Sequence, residues 1–325
     1  MVVSDEKSGS GQTSGRRASS KPDRSAHRGL PEPAAVPVDG AETGCEAALG
    51  PGLYLVATPI GNLADLTLRA LAVLRGVDRI ICEDTRVSGK LMAKYGISTP
   101  LDLYHDHNAE KVRPAILASI HHGARVALIS DAGTPLISDP GFKLVQAAIG
   151  EHLPVTALPG PCAAITALIL SGLPPDAFLF AGFLPPRQAA RQRALDRWAA
   201  VEATLIFYES TQRLAESLAD MVERLGNRAA AVARELTKLH EEVRRGRLAE
   251  LAGYYQASGP ARGEAVVLVG PPEPAQPDWE EVDEMLRATL VEFSVRDAAA
   301  KLAAETGLSR GELYRRALSI RREKA

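Results

Sequence analysis

Arg125-Val-Ala-Leu-Ile-Ser-Asp-Ala-Gly-Thr-Pro-Leu-Ile-Ser-Asp-Pro-Gly141 runs from a short apolar segment directly into a turn built of Ser, Asp, Gly and Pro. The segment Arg125 to Ile129 is too short to be a packed helix and reads as a buried strand that the turn residues terminate. The same pattern occurs on both sides of it. Leu53 to Ala57 enters Thr58-Pro-Ile-Gly-Asn62, and Val155 to Leu158 enters Pro159-Gly-Pro161. Arg79 to Cys82 is a further strand, ending in Glu83-Asp-Thr-Arg86. Between the strands lie helical patterns: one capped by Asp65 with Leu68, Leu71 and Leu74 on its apolar face, one over Ala109 to His121, one after Gly141, and one over Cys162 to Ser171. Strands alternating with helices at this spacing predict an α/β fold with a mostly parallel sheet covered on both faces.

Gly172-Leu-Pro-Pro175 interrupts this pattern and marks a first domain boundary. A second α/β set follows: strand Phe178 to Ala181, a helix over Arg187 to Ala200, strand Thr204 to Tyr208 and a helix from Gln212 to Leu225. Strands Ala229 to Arg234 and Glu241 to Arg247, a helix near Leu248 to Tyr255 and strand Ala265 to Val269 complete it, several of them close enough to pair antiparallel. Pro271 to Pro277 carries four prolines and reads as a stiff linker. Beyond it, Ser294 before Asp297 and Ser309 before Glu312 are capping boxes, with Thr306-Gly-Leu308 as a tight turn between them, which predicts a helix–turn–helix. Residues 1–50 are rich in Ser, Gly, Pro and charge without apolar periodicity and are expected to be a disordered tail. The expected organisation is 1–50 tail, 51–173 first α/β domain, 174–271 second α/β domain and 278–325 helical module.

Composition narrows the function. The chain has 325 residues, 46% hydrophobic and 24% charged, with 38 Lys plus Arg against 40 Asp plus Glu, which excludes a polycationic or fibrous protein. Cys45, Cys82 and Cys162 are odd in number and far apart, so neither a disulfide framework nor a zinc knuckle is expected. No apolar run reaches the roughly 20 residues of a membrane helix, and Met1 to Ser10 lacks the pattern of a secretory signal, so a cytoplasmic protein is expected.

In an open α/β sheet, ligands sit beyond the carboxyl ends of the strands. The loops Thr58 to Asn62, Ser130 to Gly141 and Pro159 to Pro161 all fall there, and their exposed backbone groups suit a polar ligand such as an adenosine. None of them is a GxGxxG fingerprint or a GxxxxGK[ST] loop, which counts against an ordinary nicotinamide enzyme and a P-loop ATPase. His105-Asp-His107 and His121-His122 lack partners at metal-ligand spacing, so no metal is expected, and no GxSxG elbow supports a hydrolase. Arg187, Arg191, Arg193 and Arg197 recur along one predicted helix, and Arg244, Arg245 and Arg247 cluster on a strand. Arg310, Arg315, Arg316, Arg321, Arg322 and Lys324 lie on or after the last helix. Together these sets predict RNA binding through phosphate contacts.

Seven motifs in order carry a more specific signal: Leu53 to Leu63, Glu83 to Arg86, Tyr104-His-Asp-His-Asn108, Ser130 to Gly141, Pro159 to Pro161, Phe207-Tyr-Glu-Ser210 and Arg234-Glu-Leu-Thr-Lys238. The chain from about Gly52 to Leu318 resembles the bacterial 16S rRNA (cytidine-2′-O)-methyltransferases of the tetrapyrrole methylase superfamily. Glu209-Ser-Thr-Gln-Arg213 departs from that family, which usually has Pro-His before the Arg, and this puts one local substrate contact in doubt. The resemblance implies S-adenosylmethionine held between two α/β domains, a homodimer, and as methyl acceptor a cytidine 2′-hydroxyl of the small ribosomal subunit. Carried over by motif, the cofactor contacts are Ile60, Asp131, Gly133, Pro135, Cys162, Ala163, Glu209 and Leu236.

The acceptor hydroxyl has to lose a proton, and Glu83, Asp84, His105, His107, Lys238, His240 and Glu241 are the polar strand-end candidates to receive it. For each of them an ion pair or a helix-end hydrogen bond is the competing role, with Glu83–Arg86 and Glu235–Lys238 as such pairs. Three other functions fit parts of the pattern. A tetrapyrrole-ring methylase or a diphthine-type methylase would not need the basic C-terminal module, and a non-catalytic assembly factor would leave the cofactor loops without a purpose.

Overall fold

The computed structural model describes residues 49–259, 263–273 and 278–323; the expected tail up to residue 48, residues 274–277 of the proline-rich linker and Lys324 lie outside them. The first half of the fold is β1 (Gly52–Val56), α1 (Leu68–Gly76), β2 (Arg79–Cys82), α2 (Thr85–Lys94), β3 (Leu101–Leu103), α3 (Ala109–His121), β4 (Arg125–Ile129), α4 (Phe142–Gly150) and β5 (Val155–Leu158). Its strands form one sheet in the order β3-β2-β4-β1-β5, every pair parallel. Successive side chains on a strand point to opposite faces, and the two cores follow that alternation. Val56, Ile80, Ala127 and Ile129 pack with Leu71, Leu74, Leu91 and Met92 of α1 and α2. Leu53, Ile81, Val126 and Leu128 pack with Ile116, Ile120, Leu144 and Ala148 of α3 and α4 on the opposite face. Truncating a fully buried member such as Leu74 to Ala is worth about 2–5 kcal/mol.

Two details correct the sequence reading. Asp65 does not cap α1; it lies in a short 3-10 turn (Leu63–Asp65), and the Thr67 hydroxyl accepts the Ala70 N–H at 3.1 Å instead. Leu68, the first residue of that helix, is consequently 59% exposed rather than part of the apolar face. The sequence reading also lacked α2 and β3. Asp84 caps α2 by accepting the Arg86 N–H at 2.8 Å, so Glu83-Asp-Thr-Arg86 is a strand end merging into a helix start.

The chain then continues through α5 (Ala163–Ser171), β6 (Phe178–Phe183), α6 (Gln188–Asp196), β7 (Thr204–Ser210), α7 (Leu214–Leu225), β8 (Ala229–Arg234), β9 (Glu242–Arg247), α8 (Leu248–Ser258) and β10 (Glu264–Val269). The second sheet has the order β6-β7-β10-β8-β9, with β6 and β7 parallel and the other pairs antiparallel. Leu214, Leu218, Met221 and Leu225 recur at helical spacing on α7 and join α6 and α8 over one face. Helix α6 stops at Asp196, short of the expected Ala200.

The other face of this second sheet receives α5. Ala164, Ala167 and Leu168 pack on Ile206, Ala231, Val266 and Leu268, and Arg245 Nε donates to the Leu170 carbonyl at 3.0 Å. The chain therefore crosses from one sheet to the other at Pro159–Cys162, upstream of the Gly172–Pro175 punctuation.

The C-terminal helices α9 (Trp279–Thr289), α10 (Val295–Thr306) and α11 (Arg310–Glu323) enclose their own small core of Val282, Leu286, Ala299, Leu302, Leu313 and Ala317. The Ser294 hydroxyl accepts the Asp297 N–H at 3.2 Å, and Gly307 ends α10 in the left-handed conformation at φ 72°.

Candidate active site

Beyond the carboxyl ends of β4, β1 and β5 the three Gly/Pro loops are stitched together. Thr58 and Gly133 exchange backbone hydrogen bonds of 2.9 and 3.0 Å, the Thr58 hydroxyl donates to the Ser130 carbonyl at 3.0 Å, and the Thr134 hydroxyl donates to the Pro161 carbonyl at 2.9 Å. Gly133 needs its lack of a side chain: its φ is +82°, and a Cβ there would meet Ile60 Cγ2 at 3.2 Å. Gly61 lies against the loop after β8, where the Asn62 N–H donates to the Thr237 hydroxyl at 3.0 Å. The first loop is thus fixed to both halves of the fold.

The loops border a cleft of about 510 Å³ that takes residues from both sheets. From the first half come Ile60, Glu83, Asp131, Gly133, Ile137 and Asp139; from the second come Phe183, Tyr208, Glu209, Ala233, Leu236, Glu264 and Val266, with Cys162 and Ala163 at the crossing. Among the described residues the lining contains five carboxylates and no Lys, Arg or His. Burial, together with this excess of negative charge, raises the pKa values of three of these carboxyls. Burial, then Asp131 and Asp106, pushes Glu83 up; burial, opposed by the Asp84 N–H, pushes Asp131 up. Asp139 is driven up to about 6 by burial and by the charges of Glu83 and Asp131. The Tyr208 phenol is raised to about 12, chiefly by burial.

Of the residues expected to hold a cofactor, Ile60, Asp131, Gly133, Cys162, Ala163, Glu209 and Leu236 line the cleft. Pro135 does not; it is buried within its loop and supports the turn. Glu209 lines the wall with its carboxylate already engaged, accepting from Arg213 at 2.7 Å, from the Ser217 hydroxyl at 2.6 Å and from the Ser210 N–H at 2.7 Å. The unusual Glu209–Arg213 segment is therefore an internal ion pair.

Of the proton-acceptor candidates, only Glu83 reaches the cleft wall. Asp84 is held near 2 by hydrogen bonds from the Arg86 side chain and N–H, so Arg86 pairs with Asp84 at 2.6 Å and not with Glu83. His105 sits on the loop after β3 with its ring edge-on to His107 and Nδ1 buried without a partner. Lys238 is tied to Glu235 and Glu264 at 3.0 Å each, and Glu241 accepts the Thr237 N–H at 2.7 Å, so both are fasteners of the loop after β8. Asp139 was missed by sequence reasoning although its motif was visible, because only the packing of its loop turns the carboxyl inward.

The arginines also divide. Arg191 is 2% exposed, with Nε 2.6 Å from Asp220, and cannot meet a phosphate. Arg316 makes a two-toothed pair with Asp283 at 2.7 Å and lies 4.5 Å from the Trp279 ring centre. Arg244 pairs with Glu242 and covers the Tyr254 ring, and Arg247 pairs with Glu273. Arg187, Arg193, Arg197, Arg310 and Arg315 are exposed. Among the described residues no group of His, Cys, Asp and Glu is placed to hold a metal ion, and no helix is long and apolar enough to cross a membrane.

Residues 52–252 match the family model of the tetrapyrrole (corrin/porphyrin) methylases, and residues 276–321 match the RsmI C-terminal HTH domain. A Mesorhizobium japonicum protein named ribosomal RNA small subunit methyltransferase I is 52% identical over 274 residues, spanning 84% of this chain and 93% of that one. A protein of the same name from Erythrobacter litoralis is 55% identical over 84% of this chain and 96% of its own. A solved diphthine synthase shares the fold at 12% identity with a TM-score of 0.53, covering 67% of this chain and 89% of that one. The chain belongs to the tetrapyrrole methylase family and, within it, to the ribosomal RNA small subunit methyltransferase I proteins. It is an S-adenosylmethionine-dependent methyltransferase.

The cleft fits that cofactor by its chemistry. A wall rich in carboxylates and, among the described residues, without a cation suits a sulfonium, and the apolar surfaces of Ile60, Ala163 and Leu236 beside the side-chain-free Gly133 suit an adenosine.

Proposed function

We propose that this chain methylates the ribose 2′-hydroxyl of a decoding-centre cytidine in 16S rRNA within the small ribosomal subunit. The observation that carries this reading is the 52% identity to a protein named for that subunit, extending over 84% of the chain. The cytidine ribose comes from the motif resemblance. In this reading Ile60, Asp131, Gly133, Cys162, Ala163 and Leu236 hold S-adenosylmethionine, which supplies the methyl group. The cleft between the sheets aligns the acceptor with the methyl group. Glu83 stays at the cleft as a polar contact, and Glu209 keeps the wall rigid. The two α/β units, joined through α5, act together as the cofactor-binding body, and the α9–α11 module with Arg187, Arg310 and Arg315 grips RNA phosphates, leaving Arg191 and Arg316 to the fold. The protein works in the cytoplasm as a homodimer, for which Ile165 and Ile169 on the outer side of α5, 43% and 72% exposed, offer an apolar contact.

The decisive experiment incubates purified small subunits with the protein and S-adenosylmethionine and searches the digested RNA for 2′-O-methylcytidine by mass spectrometry. Methylation of a base atom, or of no RNA, would refute the reading. Gly133→Val tests the cofactor site separately. The branched side chain at a positive φ forces the loop off Ile60, so S-adenosylmethionine affinity should fall more than about 100-fold while the protein remains folded.

A further inference from the structure

We propose that Asp139 is the catalytic residue that accepts the proton of the methyl-accepting hydroxyl. The inference rests on the ribose-hydroxyl reading above and names the group that reading leaves unassigned. Asp139 lines the same cleft as the cofactor loops, facing Tyr208 from β7 and the crossing at Cys162.

Its setting differs from that of the other two first-half acids. Asp131 accepts the Asp84 N–H at 3.3 Å, and Glu83 is exposed beside His105. Asp139 is the more deeply buried, and among the described residues neither a cation nor a hydrogen-bond donor stabilises its charge. A carboxylate held this way is a stronger base than one in water, and its pKa of about 6 leaves it ionised and poised at neutral pH.

The backbone around it is held under strain. Leu136 and Ser138 adopt positive φ values of 73° and 67°, each unfavourable for a residue with a side chain. Gly141 follows at φ 127°, where a Cβ would lie 2.6 Å from Leu128. Across the cleft, Gly182 at the irregularity in β6 packs against Ser138, where a Cβ would stand 3.5 Å from its hydroxyl. This packing fixes the orientation of Asp139 into the cleft without supplying its charge with a partner. In the reaction the oxygen–methyl bond forms as the sulfur–methyl bond breaks, with that electron pair staying on sulfur. The O–H bond breaks at the same oxygen, and its proton passes to the Asp139 carboxylate.

The test compares wild type with Asp139→Asn, which is nearly the same size, and with Asp139→Glu. Expected for Asp139→Asn are S-adenosylmethionine affinity within about threefold of wild type by calorimetry and single-turnover methylation of small subunits lower by about 10²–10⁴-fold. The wild-type rate should rise about tenfold per pH unit below about 6 and then level, whereas the Asn variant should show no such step. Asp139→Glu should retain a pH-dependent residual rate. Independently of activity, the cofactor-free wild type should show an infrared carbonyl band of a protonated carboxyl that titrates near pH 6 and is missing from Asp139→Asn. An Asn variant within about threefold of the wild-type rate, or one losing cofactor affinity by the same factor as rate, overturns the proposal. So does an unchanged infrared band. Wild type that forms no 2′-O-methylated ribose refutes the substrate reading instead, an outcome visible before any variant is compared.

Discussion

Helices α6 and α11 look alike in sequence, each carrying arginines at helical spacing, and each turns one arginine inward and leaves others in solvent, but to different depths. On α6, Arg191 turns inward to α7, where Asp220 meets it at 2.6 Å and Gln188 and Gln192 donate to the same carboxylate at 3.1 and 2.9 Å. On α11, Arg315 faces solvent while Arg316, one residue on, swings back to Asp283 and Trp279. On these two helices the guanidinium that faces inward is the one to which the neighbouring helix offers a carboxylate beside apolar side chains. The spacing of arginines along one helix says nothing of that neighbour.

The largest effect that separates the two uses is expected at Arg191. Arg191→Ala leaves the Asp220 charge buried and unpaired and should lower unfolding free energy by about 3–5 kcal/mol in denaturant titrations. Replacing both partners with apolar residues of similar volume should recover most of it. If Arg191→Ala left stability intact but halved RNA affinity, the division drawn between inward and outward arginines would be wrong.

Arg316→Ala should cost about 1–2 kcal/mol, because it removes a half-exposed two-toothed pair and a ring contact from the α9–α11 core. Hydrogen exchange in α9 and α11 should accelerate while that in the two sheets stays unchanged.

Asp139 inverts the Asp220 case, a partly buried acid without a partner. Its folded pKa of about 6 lies above its ordinary value, so the native state binds the extra proton and stability falls as pH rises from about 4 to about 6. Asp139→Asn should therefore stabilise the protein by about 1 kcal/mol above pH 6, after allowing for solvent screening, and by little near pH 4. Paired melting curves at the two pH values check the sign.

The smallest stability effect belongs to Arg315→Glu combined with Arg322→Glu on the solvent side of α11, expected within about 0.5 kcal/mol. RNA affinity should nevertheless drop, and the slope of log affinity against log salt should shrink by about 2. An unchanged salt slope would make α11 a structural helix in its entirety.

The fold was legible to the extent that local pattern fixes it. The strand–turn–helix alternation, the three loops on one sheet edge and the parallel first sheet all follow from short apolar runs punctuated by Gly and Pro. What escaped depended on partners distant in sequence. The Thr85–Lys94 helix hid behind a strand-end motif, and α5, which its place in the chain assigns to the first sheet, covers the second. The same holds at the site. The loops that border the cleft were visible, whereas the fate of each charge was set elsewhere: Lys238 by Glu264, Glu209 by Ser217, Asp139 by burial and by the charges of Glu83 and Asp131.

The packing of α5 has a consequence for how this molecule could be divided. A cut at Gly172–Pro175, where the sequence is punctuated, would strand Ala164, Ala167 and Leu168 on the wrong fragment, exposed and without the sheet they cover. A cut at Pro159–Cys162, where the packing changes hands, would sever the loop that borders the cleft. Neither half can be inherited, exchanged or expressed as a finished part, so a recombination event in this region should yield a working protein only when it transfers both sheets together.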